Sequence, residues 1–130
     1  MNHDKMQILI IEDETPIRDA LKDSLEREGY GVLEAINGVD GLKVALEDHP
    51  DLILLDIVMP KLDGMSVLKA LRKDDWGRHA HVILLTNILD DEDMESESTK
   101  YNVSTYLLKA DLTLKDLIGR IQEELQLKEK

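Results

Sequence analysis

Four short apolar segments of this chain each run into polar side chains that could take part in chemistry. Segments 7–11, 52–55, 82–85 and 106–108 are followed, in that order, by an acid cluster, an aspartate, a threonine and a lysine: Glu12, Asp13 and Glu14, then Asp56, then Thr86, then Lys109. Continuous apolar runs without alternation are typical of strands buried on both faces of a parallel sheet. In such sheets ligands bind outside the carboxyl ends of the strands. We therefore expect carboxylates, a hydroxyl and an ammonium group to meet at one edge of the sheet.

The acids at this edge favour a bound cation. Glu12, Asp13 and Asp56 would repel one another if their carboxylates lay close together with no positive charge between them. Oxygen ligands that leave room for water and for phosphate oxygens suit Mg²⁺. Glu14 is better interpreted as a surface acid near the start of a helix, where the helix dipole favours negative charge.

Asp56 has two interpretations when it is taken alone. An aspartate at a strand end often caps a turn, but a carboxylate can also act as a nucleophile and form an acyl phosphate. The acid cluster on a second strand favours the nucleophile. Phosphoryl transfer depends mainly on positioning and charge neutralisation, so Mg²⁺, the Lys109 ammonium and the Thr86 hydroxyl with a nearby main-chain N–H would each take one phosphoryl oxygen. Taken singly, Thr86 is an ordinary strand residue and Lys109 an ordinary surface lysine.

Helices must alternate with the strands to bring these ends to one edge. Thr15 and Pro16 predict a helix start, with the hydroxyl as cap and proline at the first helical position, and Gly29 predicts the end of that helix. Asn37 and Thr113 are predicted caps of later helices. Five strand–helix pairs with short connections predict an α/β fold, namely a doubly wound five-stranded parallel sheet with five helices on its two faces.

Composition limits the classes of partner. The chain has 130 residues and no cysteine, which suits one domain with its own core and excludes disulfide and thiolate chemistry. No apolar run approaches the ~20 residues of a membrane-spanning helix, and the polar N-terminus does not resemble a signal peptide. We therefore expect a cytoplasmic domain with no membrane partner. The formal net charge of −12 also leads us to expect no direct nucleic-acid partner, because nucleic-acid binders usually carry a basic patch.

The chain resembles the receiver domain of bacterial two-component response regulators over nearly its whole length. The matching residues, in chain order, are Glu12 and Asp13, then Asp56 with Met59, Pro60 and Gly64 behind it, then Thr86, Tyr106 and Lys109. The resemblance implies a flavodoxin-like fold with strand order 2-1-3-4-5. It also implies a receiver domain over residues 5–127, with short tails at 1–4 and 128–130.

The resemblance implies a set of Mg²⁺ ligands. Asp13 and Asp56 would contact the metal directly, Glu12 would act through a water molecule, and Val58 would offer its main-chain carbonyl. Asp56 would accept the phosphoryl group from a sensor histidine kinase or a phosphotransfer protein. The domain would catalyse its own phosphorylation and dephosphorylation but turn over no external metabolite, so we do not expect an enzyme in the ordinary sense.

A switch follows from the same resemblance. The phosphoryl group would draw Thr86 toward Asp56, and Tyr106 would move into the space that Thr86 vacates. The surface that changes would comprise a weakly amphipathic helix at 90–101, the fifth strand and the last helix. It would act on a downstream protein, and a homodimer is one option on activation. Tyr106 alone is equally well interpreted as a half-buried strand tyrosine.

Three other functions fit parts of the pattern. A phosphatase of the haloacid-dehalogenase type also uses a strand-end aspartate, but it places a second acid two residues later, where this chain has Val58. A flavodoxin-like carrier of FMN needs a phosphate-binding loop after its first strand, and the acids at 12–14 would repel a phosphate. An adaptor of the same fold that is never phosphorylated is not separated from a receiver by the sequence.

One position departs from the resemblance. Ala110 follows Lys109 where the family usually has a proline joined by a cis peptide bond. A cis bond before a residue other than proline costs about 2.5–4 kcal/mol. We therefore predict a trans bond between Lys109 and Ala110, with the loop locally rerouted.

Overall fold

The polar strand ends belong to one parallel sheet. The computed structural model describes residues 6–56, 63–86, 105–108 and 113–129. The strands are β1 (Gln7–Ile11), β2 (Gly31–Ala35), β3 (Leu52–Asp56), β4 (Val82–Thr86) and β5 (Thr105–Leu108). They pair in parallel in the order β2-β1-β3-β4-β5. The predicted α/β fold class and the predicted strand order are both confirmed.

Both faces of the central strands are buried, because alternate side chains enter two separate apolar layers. In β1, Ile8 and Ile10 pack with leucines of α1 (Thr15–Arg27) and apolar residues of the final helix (Leu114–Glu129). Leu9 and Ile11 instead pack in the layer that contains residues of α2 (Gly38–Asp48) and α3 (Gly64–Lys73). The residues of β3 divide between the same two layers. The apolar runs are therefore continuous because residues 8–11 of β1 and 52–55 of β3 are all buried.

Three of the described helices have a side-chain hydrogen bond that caps their N-terminus. The side chain of Asn37 accepts a hydrogen bond from the Asp40 amide at 2.9 Å, and that of Asp63 accepts one from the Ser66 amide at 2.9 Å. Thr113 accepts a hydrogen bond from the amide three residues later at 3.1 Å. The predicted caps at Asn37 and Thr113 are confirmed, and each satisfies an amide in the first turn of its helix.

The predicted cap of α1 is wrong. The helix begins at Thr15 itself, its N-cap residue is Glu14, and the Glu14 side chain makes no capping hydrogen bond. The Thr15 hydroxyl instead lies 3.3 Å from Nη2 of Arg18, which can donate to it. The predicted end of α1 is confirmed, because Gly29 takes a φ of 95°, in the left-handed region that favours glycine.

Several predicted features lie outside the described residues. They are the helix at 90–101, the loop at 57–62 with Val58, and the segment 109–112 with Lys109 and its bond to Ala110. Among the described helices, none combines the length and the apolar character needed to cross a bilayer. The domain bounds at 5 and 127 remain a prediction.

A close approach between α2 and β1 generates a test of the packing. A Cβ atom at Gly41 would lie 2.6–2.8 Å from side-chain carbons of Ile11, which is only 1% exposed and is packed in the apolar layer. We predict that Gly41→Ala lowers the free energy of unfolding by about 1–3 kcal/mol, because the added methyl overpacks this contact. The measurement is urea unfolding at constant pH, read as the change in the transition midpoint.

Gly119→Ala is the matched control. It makes the same substitution within the final helix, where nothing lies within 4 Å of the added Cβ. Helix propensity alone then acts, and we expect a gain of about 0.5–1 kcal/mol. Equal shifts of the same sign in both variants would contradict the packing described here.

Candidate functional site

Three carboxylates meet at the carboxyl edge of the sheet. Glu12 and Asp13 directly follow β1, and Asp56 is the last residue of β3. The two strands are neighbours, and Ile11 pairs with Leu55, so residues 12 and 56 leave the sheet at the same level. One carboxylate oxygen from each acid lies within 4.8 Å of those from the others. The structure therefore brings together the three acids that the sequence predicts to be close.

The three acids differ in their exposure. Glu12 is 1% exposed and Asp56 is 3% exposed, whereas Asp13 lies at the surface. Like charges at this spacing repel one another, and the repulsion is strongest between the two buried carboxylates, which solvent and ions screen least. A site with two buried carboxylates below one exposed carboxylate is therefore suited to a cation that enters from solvent.

The acid set fits Mg²⁺ by its donor chemistry. All the candidate side-chain ligands among the described residues of this cluster are carboxylate oxygens. Mg²⁺ prefers oxygen ligands and is commonly held by one or two carboxylates together with water and phosphate oxygens. The exposed side of Asp13 leaves room for such additional ligands.

Main-chain hydrogen bonds hold the acid loop against the strand on its other side. The amide of Glu12 donates to the carbonyl of Ala35 at the end of β2, at 3.1 Å. Arg18 on α1 donates from Nη1 to the carbonyl of Glu12 at 2.9 Å. Sequence reasoning missed Arg18. The available signal was a long cationic side chain one helical turn after an acidic loop.

The remaining predicted site residues are placed only in part. Thr86 is the last residue of β4, and Leu85 pairs with Asp56, so the backbone of Thr86 leaves the sheet at the same edge. Tyr106 lies in β5 opposite Leu84. Lys109 and Val58 lie outside the described residues. The roles predicted for these residues remain predictions.

The comparisons with known proteins decide the family. Residues 8–122 match the family model of the response regulator receiver domain. This chain belongs to that family. The receiver assignment expected from the resemblance is confirmed, and it is favoured over the phosphatase and the FMN carrier.

Two curated relatives of this receiver are named as transcriptional regulators. The chain is 45% identical over 87 residues to the transcriptional regulatory protein AfsQ1 of Streptomyces coelicolor, covering 67% of this chain and 37% of that protein. It is 41% identical over 80 residues to the DNA-binding dual master transcriptional regulator RpaA of Synechocystis sp., covering 62% of this chain and 33% of that protein. The matched part thus spans about a third of the length of these relatives.

Solved receiver structures share the fold. A receiver domain protein from Methanospirillum hungatei JF-1 superimposes with a TM-score of 0.88 at 29% identity, covering 96% of this chain and 97% of that chain. The receiver domain of a sensor histidine kinase from Pseudomonas aeruginosa PAO1 superimposes with a TM-score of 0.83 at 26% identity, covering 94% and 98%. That structure was determined with a magnesium ion coordinated in its active site cleft.

The expectation of no nucleic-acid partner is wrong. Proteins whose receiver segments resemble this chain include one named as DNA-binding and one named as a transcriptional regulatory protein. The net charge of −12 describes only the 130 residues of this chain. Because the relatives are about three times longer than the matched part, the charge of a receiver segment does not exclude a DNA target of the whole protein.

The crowding of the carboxylates predicts that removal of one charge stabilises the metal-free protein. We expect Asp13→Asn to raise the free energy of unfolding in EDTA by about 0.5–1 kcal/mol, because the substitution relieves repulsion while keeping the side-chain shape. The gain should shrink as salt is added, since ions screen an exposed charge. Urea unfolding at two salt concentrations measures both effects. Asp19→Asn, at an exposed position on α1, is the control and should change little; an equal gain there would contradict local repulsion.

Proposed function

We propose that this receiver accepts a phosphoryl group on Asp56 in a reaction that requires Mg²⁺. The observation that carries the proposal is the cluster of Glu12, Asp13 and Asp56, in which a nearly fully buried strand-end carboxylate lies among two further acids. An aspartate that only caps a turn does not need two further acids beside it. A nucleophile that must receive an anionic group needs a cation beside it, and this acid set is suited to hold one.

Each residue of the cluster has its own proposed contact with the Mg²⁺ ion. In the proposal, Asp13 and Asp56 hold the ion directly and Glu12 holds it through water, with the main-chain carbonyl of Val58 as a further ligand. Bound Mg²⁺ would neutralise charge on the phosphoryl oxygens. The magnesium ion in the Pseudomonas aeruginosa receiver supports this assignment, because that domain shares the fold and the family.

Asp56 is the proposed nucleophile. One oxygen of its carboxylate attacks phosphorus while the bond from phosphorus to the donor breaks, and the bonding electron pair leaves with the donor. We propose a sensor histidine kinase or phosphotransfer protein as donor, so the broken bond joins phosphorus to an imidazole nitrogen. Asp56 ends a strand whose five residues are all buried, so the packing of the strand restricts the position of its backbone. A fixed nucleophile contributes by positioning.

Thr86 and Lys109 are the proposed partners of the two phosphoryl oxygens that the metal does not take. The end of β4 beside Asp56 supports the role of Thr86. Lys109 directly follows β5 in the sequence, and β5 pairs with β4, which supports the role of Lys109. In the proposal, movement of Thr86 and then of Tyr106 changes the surface formed by residues 90–101, β5 and the final helix, and this surface regulates a downstream protein.

The names of the relatives favour transcription as the process under control. AfsQ1 is a transcriptional regulatory protein, and RpaA is a DNA-binding transcriptional regulator. We therefore propose that phosphorylation of this receiver controls a response whose final target is DNA. A cytoplasmic location and a homodimer on activation remain predictions.

The phosphorylation itself has a direct test. The wild-type chain incubated with acetyl phosphate and Mg²⁺ should gain the mass of one phosphoryl group in an intact-mass measurement, whereas Asp56→Asn or added EDTA should abolish the gain. Asp51→Asn is the matched control, because Asp51 directly precedes β3 at its other end. We expect Asp51→Asn to be phosphorylated like wild type. Equal phosphorylation of Asp56→Asn would contradict the assignment of the nucleophile.

The same experiment with beryllofluoride separates the receiver from an adaptor. Beryllofluoride mimics a phosphoryl group, so a phosphoacceptor should show Mg²⁺-dependent shifts of the amide resonance of Asp56. An adaptor would show no phosphorylation and no such shifts.

A further inference from the structure

Arg18 uses all three nitrogens of its guanidinium on groups around the acid loop. Nη1 lies 2.9 Å from the carbonyl oxygen of Glu12 and 3.5 Å from that of Asp13. Nη2 lies 3.3 Å from the Thr15 hydroxyl. Nε pairs with a carboxylate oxygen of Glu34 at 3.4 Å. The Arg18 side chain is only 12% exposed, so it is held among these partners and does not extend into solvent.

The contacts connect the loop to the neighbouring strand. Glu34 lies in β2, one residue before Ala35, whose carbonyl accepts the amide of Glu12. The end of β2 therefore holds the acid loop at two points, once through the main chain and once through Arg18. Since the hydrogen bonds of Nη1 go to main-chain oxygens, they fix the path of the backbone from which the Glu12 and Asp13 side chains project.

We propose that Arg18 is a positioning residue that presents Glu12 and Asp13 to the metal ion shared with Asp56. The inference rests on the function proposed above and adds the residue that holds the acid loop ready for the ion. Groups that orient the ligands of a metal typically change its affinity by about 10–100-fold when they are mutated. If the loop had to become ordered when the ion binds, the cost of ordering it would weaken the binding of the ion.

The positive charge of Arg18 acts in the opposite direction. A cation near the acids reduces their mutual repulsion but also repels an incoming Mg²⁺ ion. If charge were the main effect, loss of the guanidinium would tighten Mg²⁺ binding. If positioning is the main effect, its loss weakens Mg²⁺ binding, so the sign of the change separates the two.

Lysine cannot replace the arginine in this arrangement. The guanidinium is a planar fork whose nitrogens point in several directions, whereas a lysine ammonium is one compact point charge on a flexible stem. Lysine at position 18 would keep the charge but could not reach the loop carbonyls, the hydroxyl and Glu34 together.

The experiment measures the dissociation constant of Mg²⁺ by calorimetry, without phosphorylation. We expect Arg18→Lys and Arg18→Gln each to raise the dissociation constant by about tenfold. Amide hydrogen exchange at Asp13 and Glu14 should become faster in both variants, while the exchange of β3 amides stays close to wild type. An unchanged dissociation constant in Arg18→Lys, or tighter binding in Arg18→Gln, would overturn the inference.

Two controls test whether a general loss of stability or of positive charge could account for weaker Mg²⁺ binding. Arg72→Lys changes another arginine that donates to two main-chain carbonyls, those of Gly77 and Ala80, near the start of β4. Lys22→Gln removes the other cation that pairs with Glu34, at 3.5 Å. Neither variant should change the dissociation constant of Mg²⁺, although Arg72→Lys should lower stability. A change in either control equal to that in Arg18→Lys would overturn the inference.

A further variant, at Glu34, covers the case in which neither Arg18 variant folds. Glu34→Gln keeps the size of the anchor and removes its charge, and we expect it to raise the dissociation constant less than Arg18→Lys would. An unchanged value in Glu34→Gln would then overturn the inference. The proposed function fails separately if the wild-type chain binds Mg²⁺ but is not phosphorylated at Asp56. A wild-type chain that binds no Mg²⁺ would contradict both the proposed function and the inference.

Discussion

The central constraint on this structure is that three carboxylates that repel one another must lie close together. Glu12, Asp13 and Asp56 come within 4.8 Å of one another because β1 and β3 are paired in register as far as Ile11 and Leu55, the residues just before Glu12 and Asp56. The strands can hold that arrangement because their side chains are buried in apolar layers on both faces. The free energy of the core thus keeps together a set of charges that would separate in an unfolded chain, and a divalent cation would offset the repulsion.

The elements around the cluster combine packing with positioning. Helix α1 buries Leu21 and Leu25 in one apolar layer and directs Arg18 to the acid loop. On the opposite face, Gly41 lets α2 lie against Ile11, the residue that directly precedes Glu12. The loop is therefore fixed from below by the strand, from one side by β2 and Arg18, and through Ile11 by the close approach of α2. Binding geometry at the sheet edge and stability of the core are coupled by these contacts.

The fold and the acid cluster were predictable because each left a local signal. Continuous apolar runs indicate strands buried on both faces. The parallel arrangement of such strands places the polar residues that follow them at one edge of the sheet. The contribution of Arg18 was missed, because a cationic side chain one turn after the loop is a weak signal that does not show which charged residue of α1 faces the loop. The same contact explains the wrong cap: Thr15 fits the pattern of a helix cap, but its hydroxyl lies beside Arg18 in the folded chain. The expectation about nucleic acids failed for another reason, since charge was counted over a segment shorter than its relatives.

The shared cation is tested most directly with Mn²⁺ as a paramagnetic substitute, because carboxylate and water ligands suit Mn²⁺ as well as Mg²⁺. The amide resonances of Glu12, Asp13 and Asp56 should broaden first and together as Mn²⁺ is added, and excess Mg²⁺ should restore them. Those of Gln7 and Asp51, which are hydrogen-bonded to each other at the far ends of the same two strands, should stay sharp. Broadening that spreads equally over the acids of the surface, with Asp51 among them, would contradict a single site formed by these three carboxylates.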